Sequence, residues 1–527
     1  MNPDPAAPSQ AVRLLQAIET QAERLRHWLE RHPVWPIGGI LVLCLVWTCV
    51  LASRKLMWND ELYTYYIATQ PTVQDIWQAL LTGAEQIPPT FHLLTRVVLR
   101  ALGEGPITIR LPEMLGFLLM MLCLYRYVAR RTSPFYGLIA MVFPLVTDAY
   151  RYAYDARPYA LLMGLSGLAL VSWQAAPEGR NRWLWLMLLG GSLAGAVASH
   201  YYGALVVAAL AIAELVRTRS RGPLDPPVWI ALLLASAVPL LLFSPLILRS
   251  RGYASTFWRP LSITELPLFY SLVPGPARKA VAAAILAAMI YAMFVPGTPD
   301  REPRRPLPRH EVAAAVAFAL IPVLAWVLGM LMTNAFLFRY ALPAVLGLAS
   351  LAAFGVYSLP RSRAVVGTTL LVVMAGSFVL AQYGELRTTE GETEFRFAGG
   401  ELLQGKADST LPIVASEPHV FMALAQYAPP AVTDRLVYLG DVEASQRRLG
   451  HNSVERGMLD LVGPWFRLPV KPYKSYIAAH PRFWVYGNLG FLTWITDELR
   501  ADGWRLELRG RLGGEFLFLA TRPDGEP

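Results

Sequence analysis

The chain has 527 residues, 54% of them hydrophobic and only 16% charged, where a soluble domain carries roughly a quarter charged. Unbroken apolar runs of about 20 residues, flanked by arginines, exclude a soluble enzyme, a disordered chain and, because they do not alternate, a β-barrel. The net charge of +9 calls for no nucleic acid, since the arginines fall in short loops between the runs, where they set orientation in a membrane.

Residues 1–10 are rich in Pro and Ala. Over 11–31, Val12, Leu15, Ile18, Ala22, Leu25 and Leu29 recur at helical spacing with Arg13, Arg24, Arg26 and Arg31 between them. Residues 1–33 therefore read as a cytoplasmic segment whose amphipathic helix either lies on the inner membrane surface or is a solvated leader helix. The first span, 35–53, is longer than a signal-peptide core, has no cleavage site and is expected to be retained.

A long outer loop, 54–106, follows. In it Leu62, Tyr65, Tyr66 and Ile67 suit an interfacial helix, and Pro88-Pro89 ends one segment and starts another. Further spans are expected at 107–128, 134–149, 158–174, 184–198, 203–216, 228–248, 276–294, 312–331, 339–357 and 364–382, about eleven in all. With the N-terminus inside, every inner loop is basic: Arg126, Arg130 and Arg131; Arg180 and Arg182; Arg217, Arg219 and Arg221; Arg301, Arg304, Arg305 and Arg309; Arg361 and Arg363.

An odd span count puts the tail outside. The transmembrane domain is expected over 34–383 and a periplasmic α/β domain over 384–527, with strands at 411–415, 435–439, 483–486, 504–509 and 515–520 and a helix at 491–501. The three cysteines, Cys44, Cys49 and Cys123, all sit in apolar runs, so no disulfide framework or zinc site is expected. No internal repeat is visible, which weighs against a transporter.

Charge is expensive near a membrane, so the outer polar clusters invite a functional reading. They are Trp58-Asn59-Asp60-Glu61; Gln86-Ile87-Pro88-Pro89-Thr90-Phe91-His92; Tyr150 to Tyr159, including Asp155 and Arg157; Ser199-His200-Tyr201-Tyr202; Arg249, Arg251, Trp258 and Arg259; and Phe338-Arg339-Tyr340. Each has a plainer reading: loop acids, an interfacial ion pair, a snorkelling arginine, belt aromatics. Together at one depth they suit a sugar phosphate, because carboxylates accept hydroxyl protons, guanidinium forks match phosphate oxygens and aromatic faces cover sugar rings.

These motifs, in this order, resemble the GT-C superfamily of lipid-linked sugar transferases. They are most similar to its family-39 group, the protein O-mannosyltransferases and the lipid A aminoarabinose transferase. The resemblance rests on Trp58-Asn59-Asp60-Glu61, Gln86-Ile87-Pro88-Pro89 with Phe91, Arg110-Leu111-Pro112, Tyr154-Asp155-Ala156-Arg157-Pro158-Tyr159, His200-Tyr201-Tyr202 and Phe338-Arg339-Tyr340-Ala341-Leu342-Pro343. It covers about 35–380 strongly and the tail weakly. One departure is Thr90-Phe91-His92, where the family pattern has Leu and tyrosines.

The resemblance implies an inverting glycosyltransferase in a bacterial cytoplasmic membrane, with its site on the periplasmic side. The donor would be a polyprenyl-phosphate sugar and the acceptor an envelope glycan, lipid or protein, with membrane lipids around it. It implies Asp60, Glu61 and Asp155 as catalytic carboxylates, Asp60 being the base. Arg339, Arg157 and Arg249 would bind the donor phosphate, and Tyr159, His200, Tyr201, Tyr340 and His92 the substrates. No metal is required, although a divalent ion with Asp60, Glu61 and Asp155 is a minority option. The alternatives are a lipid-linked glycan ligase or polymerase, for which Arg249, Arg251 and His200 are a partial set, and a sugar-lipid transporter, for which Glu214 is the nearest ionisable candidate.

Overall fold

The structure is a computed structural model that describes residues 10–177, 181–258, 261–272, 275, 282–283, 286–287, 305–333, 336–359, 363–406, 410–490 and 492–523. The expected span 276–294 lies almost wholly outside the described residues, as do Arg180, Arg259, Arg301, Arg304 and Arg361.

Helix α1 (Gln10–Arg31) packs Ala22 against Ala364 and Val365 at the start of the last long helix, and Ser133 Oγ donates to Glu30 at 2.5 Å. Its Ile18, Leu25 and Trp28 stay exposed, as an interfacial helix requires. Helix α2 (Val34–Arg54) is apolar all round, with exposed Val34, Trp35, Val42, Leu43 and Val46, the surface of a helix that faces hydrocarbon.

Among the described residues four helices are long and apolar enough to cross a membrane: Val34–Arg54, Thr108–Ala129, Tyr201–Arg221 and Arg363–Thr388. Two bent pairs raise the number to six if each pair is one span. Pro226–Leu242 turns by 64° into Ser244–Tyr253, and Arg309–Ala319 by 49° into Ile321–Leu331. Each break precedes a proline, Pro245 or Pro322, whose missing N–H and ring interrupt the hydrogen-bond ladder. Three shorter apolar helices among the described residues are Pro134–Val146, Tyr159–Ala175 and Ala344–Ser358.

Helix α6 (Leu111–Ala129) and helix α8 (Tyr159–Ala175) pack closely because glycines face each other. A Cβ on Gly116 would meet Leu161 Cα at 2.5 Å, and one on Gly164 would meet the Gly116 carbonyl. Glu113 of α6 accepts from the Ala160 and Leu161 N–H groups at 2.7 and 3.0 Å. An acid thus satisfies the orphan donors at the N-terminus of α8. Glu214, the ionisable residue that would serve transport, is closed off at 1% exposure between Arg217 and the Trp173 indole, which donates to it at 2.8 Å.

The outer loop folds as three short helices, α3 (Asn59–Ala68), α4 (Val73–Leu80) and α5 (Pro89–Leu102). Pro88-Pro89 starts α5, where a proline's missing N–H costs nothing.

Beyond the expected domain boundary at 383 the last helix does not stop. It runs over Arg363–Lys406; residues 384–406 carry five glycines but no proline to end it. After it comes a six-stranded sheet in the order β3-β2-β1-β4-β6-β5. The strands are β1 (Ile413–Ala415), β2 (Leu436–Gly440), β3 (Val470–Pro472), β4 (Arg482–Asn488), β5 (Arg505–Leu512) and β6 (Glu515–Thr521). The first four pair in parallel and the last two antiparallel, with Val414 opposite both Val437 and Val485. Strand β3 was not expected; at three residues, with an exposed edge, it carries almost no pattern. The expected helix at 491–501 is shorter, Ile495–Ala501.

Candidate active site

Helix α3 begins where Glu61 Oε2 accepts the Trp58 N–H at 3.3 Å, an acid at the third helical position folding back on the cap. Asp60 lies one residue earlier, in the first turn, where the helix dipole favours a carboxylate.

The two neighbouring acids have different surroundings. Glu61 is wholly buried. Arg110 grips it bidentately, Nε to Oε1 at 2.7 Å and Nη2 to Oε2 at 3.0 Å, while the Ala156 N–H donates to Oε1 at 2.8 Å and Lys55 Nζ stands 3.2 Å from Oε2. Burial would raise this carboxyl, but the Arg110 guanidinium and the Lys55 ammonium overrule it and hold it down at about 2. Arg110 Nη1 also donates to the Ala52 and Lys55 carbonyls at 2.6 and 3.1 Å. Glu61 is therefore a knot joining α3, the end of α2 and the loop before α8. Its four close partners leave no room for substrate.

Asp60 instead faces Arg339, Oδ2 to Nη2 at 3.2 Å, with side chains 20% and 22% exposed. The Arg339 guanidinium also sits 5.9 Å from the Trp58 ring centroid. Its Nε is buried without a hydrogen-bond partner.

Asp155 accepts from Lys55 Nζ at 2.9 Å and from the Trp58 indole at 2.6 Å, both at Oδ1. Burial raises its carboxyl despite Lys55, and nearby Glu61 adds to the rise. Arg157 is tied to Glu85 through Nη1 at 3.0 Å and Nη2 at 3.3 Å, and donates to the Asp60 carbonyl at 3.0 Å. Arg157 Nε has no partner.

Aromatic rings wall this centre. Tyr159 lies 5.0 Å from Tyr152 and 5.4 Å from His200, and Tyr340 lies 4.7 Å from Tyr202 and 5.2 Å from His200. His200 Nδ1 accepts the Tyr202 N–H at 3.2 Å, so the neutral ring carries its proton on Nε2. Burial, with Arg157 and Arg339 nearby, holds this imidazole down at about 3.

The structure thus gathers Asp60, Glu61, Asp155, Arg157, Arg339, Tyr159, His200 and Tyr340. Three expected residues stand apart. Arg249 is exposed, its carbonyl packed against Gly83. There a positive φ and the 2.8 Å approach of that carbonyl to any Cβ require glycine. His92 is wholly buried on α5 and burial holds it down at about 4, so it is neutral and out of substrate's reach. Tyr201 packs against the core shared with the sheet, its hydroxyl buried without a partner.

Sequence reasoning passed over Lys55, Glu85, Tyr152 and Tyr202 as site residues. Lys55 had a signal: it is a rare lysine among arginines, placed directly after the first span. Among the described residues no group of three His, Cys, Asp or Glu side chains is set to hold a metal ion. Asp60 turns to Arg339, whereas Glu61 and Asp155 share Lys55 between them.

Residues 86–248 match the family described as dolichyl-phosphate-mannose-protein mannosyltransferase. No curated protein matches the chain significantly. Among solved structures, ArnT from Cupriavidus metallidurans in the apo state is similar at TM-score 0.57 and 14% identity, over 93% of this chain and 99% of that one. The same protein bound to undecaprenyl phosphate is similar at TM-score 0.55 and 13% identity, over 94% and 99%. The oligosaccharyltransferase of Archaeoglobus fulgidus in complex with Zn and sulfate follows at TM-score 0.41 and 13% identity, over 75% and 62%. The chain has the GT-C fold, and its resemblance to that superfamily holds across the fold and, over 86–248, in the sequence.

Proposed function

We propose that this GT-C chain is a membrane glycosyltransferase that moves a sugar from a polyprenyl-phosphate carrier to an acceptor at the outer end of the helical bundle. The carrying observation is the Asp60–Arg339 pair. Within a network of closed ion pairs it is the one left partly open, with a carboxylate and a guanidinium side by side among tyrosines. A similar fold with undecaprenyl phosphate bound supports a carrier of that class.

The chemistry follows from the two partners. The donor phosphate docks on Arg339 and takes over the pairing that holds Asp60. The freed carboxylate accepts the proton of an acceptor hydroxyl or amine as its heteroatom bonds to the anomeric carbon. The bond from that carbon to the phosphate oxygen breaks on the opposite face, with inversion. Its electron pair leaves on the polyprenyl phosphate, where Arg339 meets the growing charge. His200 offers Nε2–H to a sugar hydroxyl, and Tyr159 and Tyr340 cover the ring.

Glu61, Asp155 and Arg157 act on position. Glu61 fixes the start of α3, Asp155 holds Trp58 beside Arg339, and Arg157 holds the Asp60 carbonyl. No step requires a metal. The bacterial cytoplasmic membrane, with this site on its periplasmic side, and an envelope glycan, lipid or protein acceptor belong to the same reading.

The test uses purified protein in lipid nanodiscs with a panel of polyprenyl-phosphate sugars, reading release of polyprenyl phosphate by mass spectrometry and donor binding by thermal shift. One sugar should be released, and Asp60→Asn should slow release by about 10²-fold or more while still binding donor. Absence of binding to every such lipid overturns the proposal.

A further inference from the structure

We infer that the C-terminal α/β layer is part of the catalytic machinery, and that its Tyr427 and Phe466 are positioning residues that hold α3, and through it Asp60, in register with Arg339. The inference rests on the proposed role of Asp60.

Helix α3 has 10 residues, too few to be stable in isolation, so its place is set by what packs on its faces. At 100° per residue, Asp60, Glu61 and Thr64 share one face, and Tyr63, Tyr66 and Gln70, just past its end, share the other. The first face meets Arg339, Arg110 and Arg157. The second meets the α/β layer.

Phe466 lies at the end of the short helix Gly463–Phe466. It stacks on Tyr66 at 5.0 Å with planes 14° apart and meets Tyr63 edge-on at 5.3 Å. Tyr427 ends the helix Pro418–Tyr427, and its hydroxyl accepts the Met57 N–H at 2.8 Å, just ahead of the α3 cap. Beside it Gln426 Oε1 accepts the Tyr66 hydroxyl at 2.9 Å, and the Trp465 carbonyl accepts from Gln70 Nε2 at 2.9 Å. Leu62 and Ile67 are wholly buried in the same apolar core as strands β1, β2 and β4.

A second anchor is made on the short helical turn Arg251–Thr256. Asp460 accepts the Tyr253 hydroxyl at 2.9 Å, and Arg456 donates to the Gly252 carbonyl at 2.7 Å while covering the Tyr253 ring at 4.2 Å. The α/β layer therefore grips both α3 and the turn that carries Tyr253, and it packs one face of the helix that carries the base. A base displaced by about 1 Å loses roughly 10²-fold in rate. Loosening this grip should therefore reach the chemistry while leaving Arg339, and hence donor binding, in place.

The test compares Phe466→Ala, Phe466→Leu and the milder Tyr427→Phe in the full chain in nanodiscs. Phe466→Ala should lower kcat by roughly 10- to 100-fold with the donor KM changed less than twofold, and Phe466→Leu should recover part of the loss. In an Asp60→Asn background neither Phe466→Ala nor Tyr427→Phe should cost anything further, because the base they position is gone. Hydrogen exchange should rise at the α3 amides in both variants and stay unchanged in α6. An unchanged kcat, or an equal loss with and without Asp60, overturns the inference. If the wild type turns over no donor, the proposed function fails, and the exchange measurement still decides whether the α/β layer holds α3.

Discussion

The difference between Asp60 and Glu61 comes from where their oxygens point, since the two are adjacent and chemically alike. Glu61 is closed by Arg110 and Lys55, and Glu61→Gln leaves Arg110 buried opposite a neutral amide. Breaking a buried pair from one side destabilises by about 3–5 kcal/mol, so Glu61→Gln should lose activity together with thermal stability, whereas Asp60→Asn should lose activity alone. The pH dependence has a definite sign. Held at about 2 against an ordinary 4.5, Glu61 contributes stability that is complete above pH 4.5 and fades as the pH falls toward 2. His92 and His200, held near 4 and 3 against 6.5, act earlier in an acid titration. Below pH 6.5 the unfolded chain binds protons that the folded chain refuses. The melting temperature in detergent should therefore begin to fall below about pH 6.5, and His92→Phe should flatten that limb. A melting temperature independent of pH between 4 and 7 would contradict both histidine environments. Asp60 and Arg339 were legible because each stands in a short motif. Glu85 and Lys55 were not, because their partners, Arg157 and Asp155, lie 72 and 100 residues away in other loops and no spacing connects them.

At the scale of elements, the bundle depends on how near α6 and α8 can come. Gly116 lies against the backbone of Leu161, and that approach brings Glu113 within reach of the Ala160 and Leu161 N–H groups. Gly116→Val should force the two helices apart, at a cost of about 1–3 kcal/mol for overpacking and more where the Glu113 cap is lost. The check is thermal unfolding followed by fluorescence-detected size exclusion, with Gly355→Val, on an open helix surface, as the control that should change little. An equal effect at both positions would deny the close contact. The apolar runs located α2, α6, α8 and the start of the last helix because hydrophobic length is what a bilayer selects. They did not show that Pro226–Leu242 and Arg309–Ala319 each turn sharply into a second helix, since a bend needs only one proline and leaves composition unchanged. Nor did they show that the last helix continues to Lys406, because a helix that leaves the membrane turns polar without breaking.

Across the whole molecule, one axis orders everything. The arginine-bearing ends of α1, α6 and the helix Ala204–Arg221 lie at one end, and α3, Asp155, Arg339 and the α/β layer lie at the other. The sheet was legible as strands because its central members are short Val/Leu/Tyr runs between turns. Its docking on α3 was not, because contacts such as Tyr66 with Gln426 span 360 residues. The positive-inside bias of the loops gives this axis a direction, and the direction can be tested. The native Cys44 and Cys123 are buried and Cys49 is half-buried, so single new cysteines report cleanly once Cys49 is replaced by Ser. Lys474, with its side chain 73% exposed on the α/β layer, and Arg24, exposed on α1, mark the two ends. In intact cells a membrane-impermeant maleimide should label Lys474→Cys at once, and Arg24→Cys only after permeabilisation. The reverse pattern would place Asp60 and Arg339 on the cytoplasmic side, where nucleotide sugars are abundant, and remove the reason for a lipid-carried donor. Equal labelling of both would mean that the apolar helices do not separate the two ends across a bilayer.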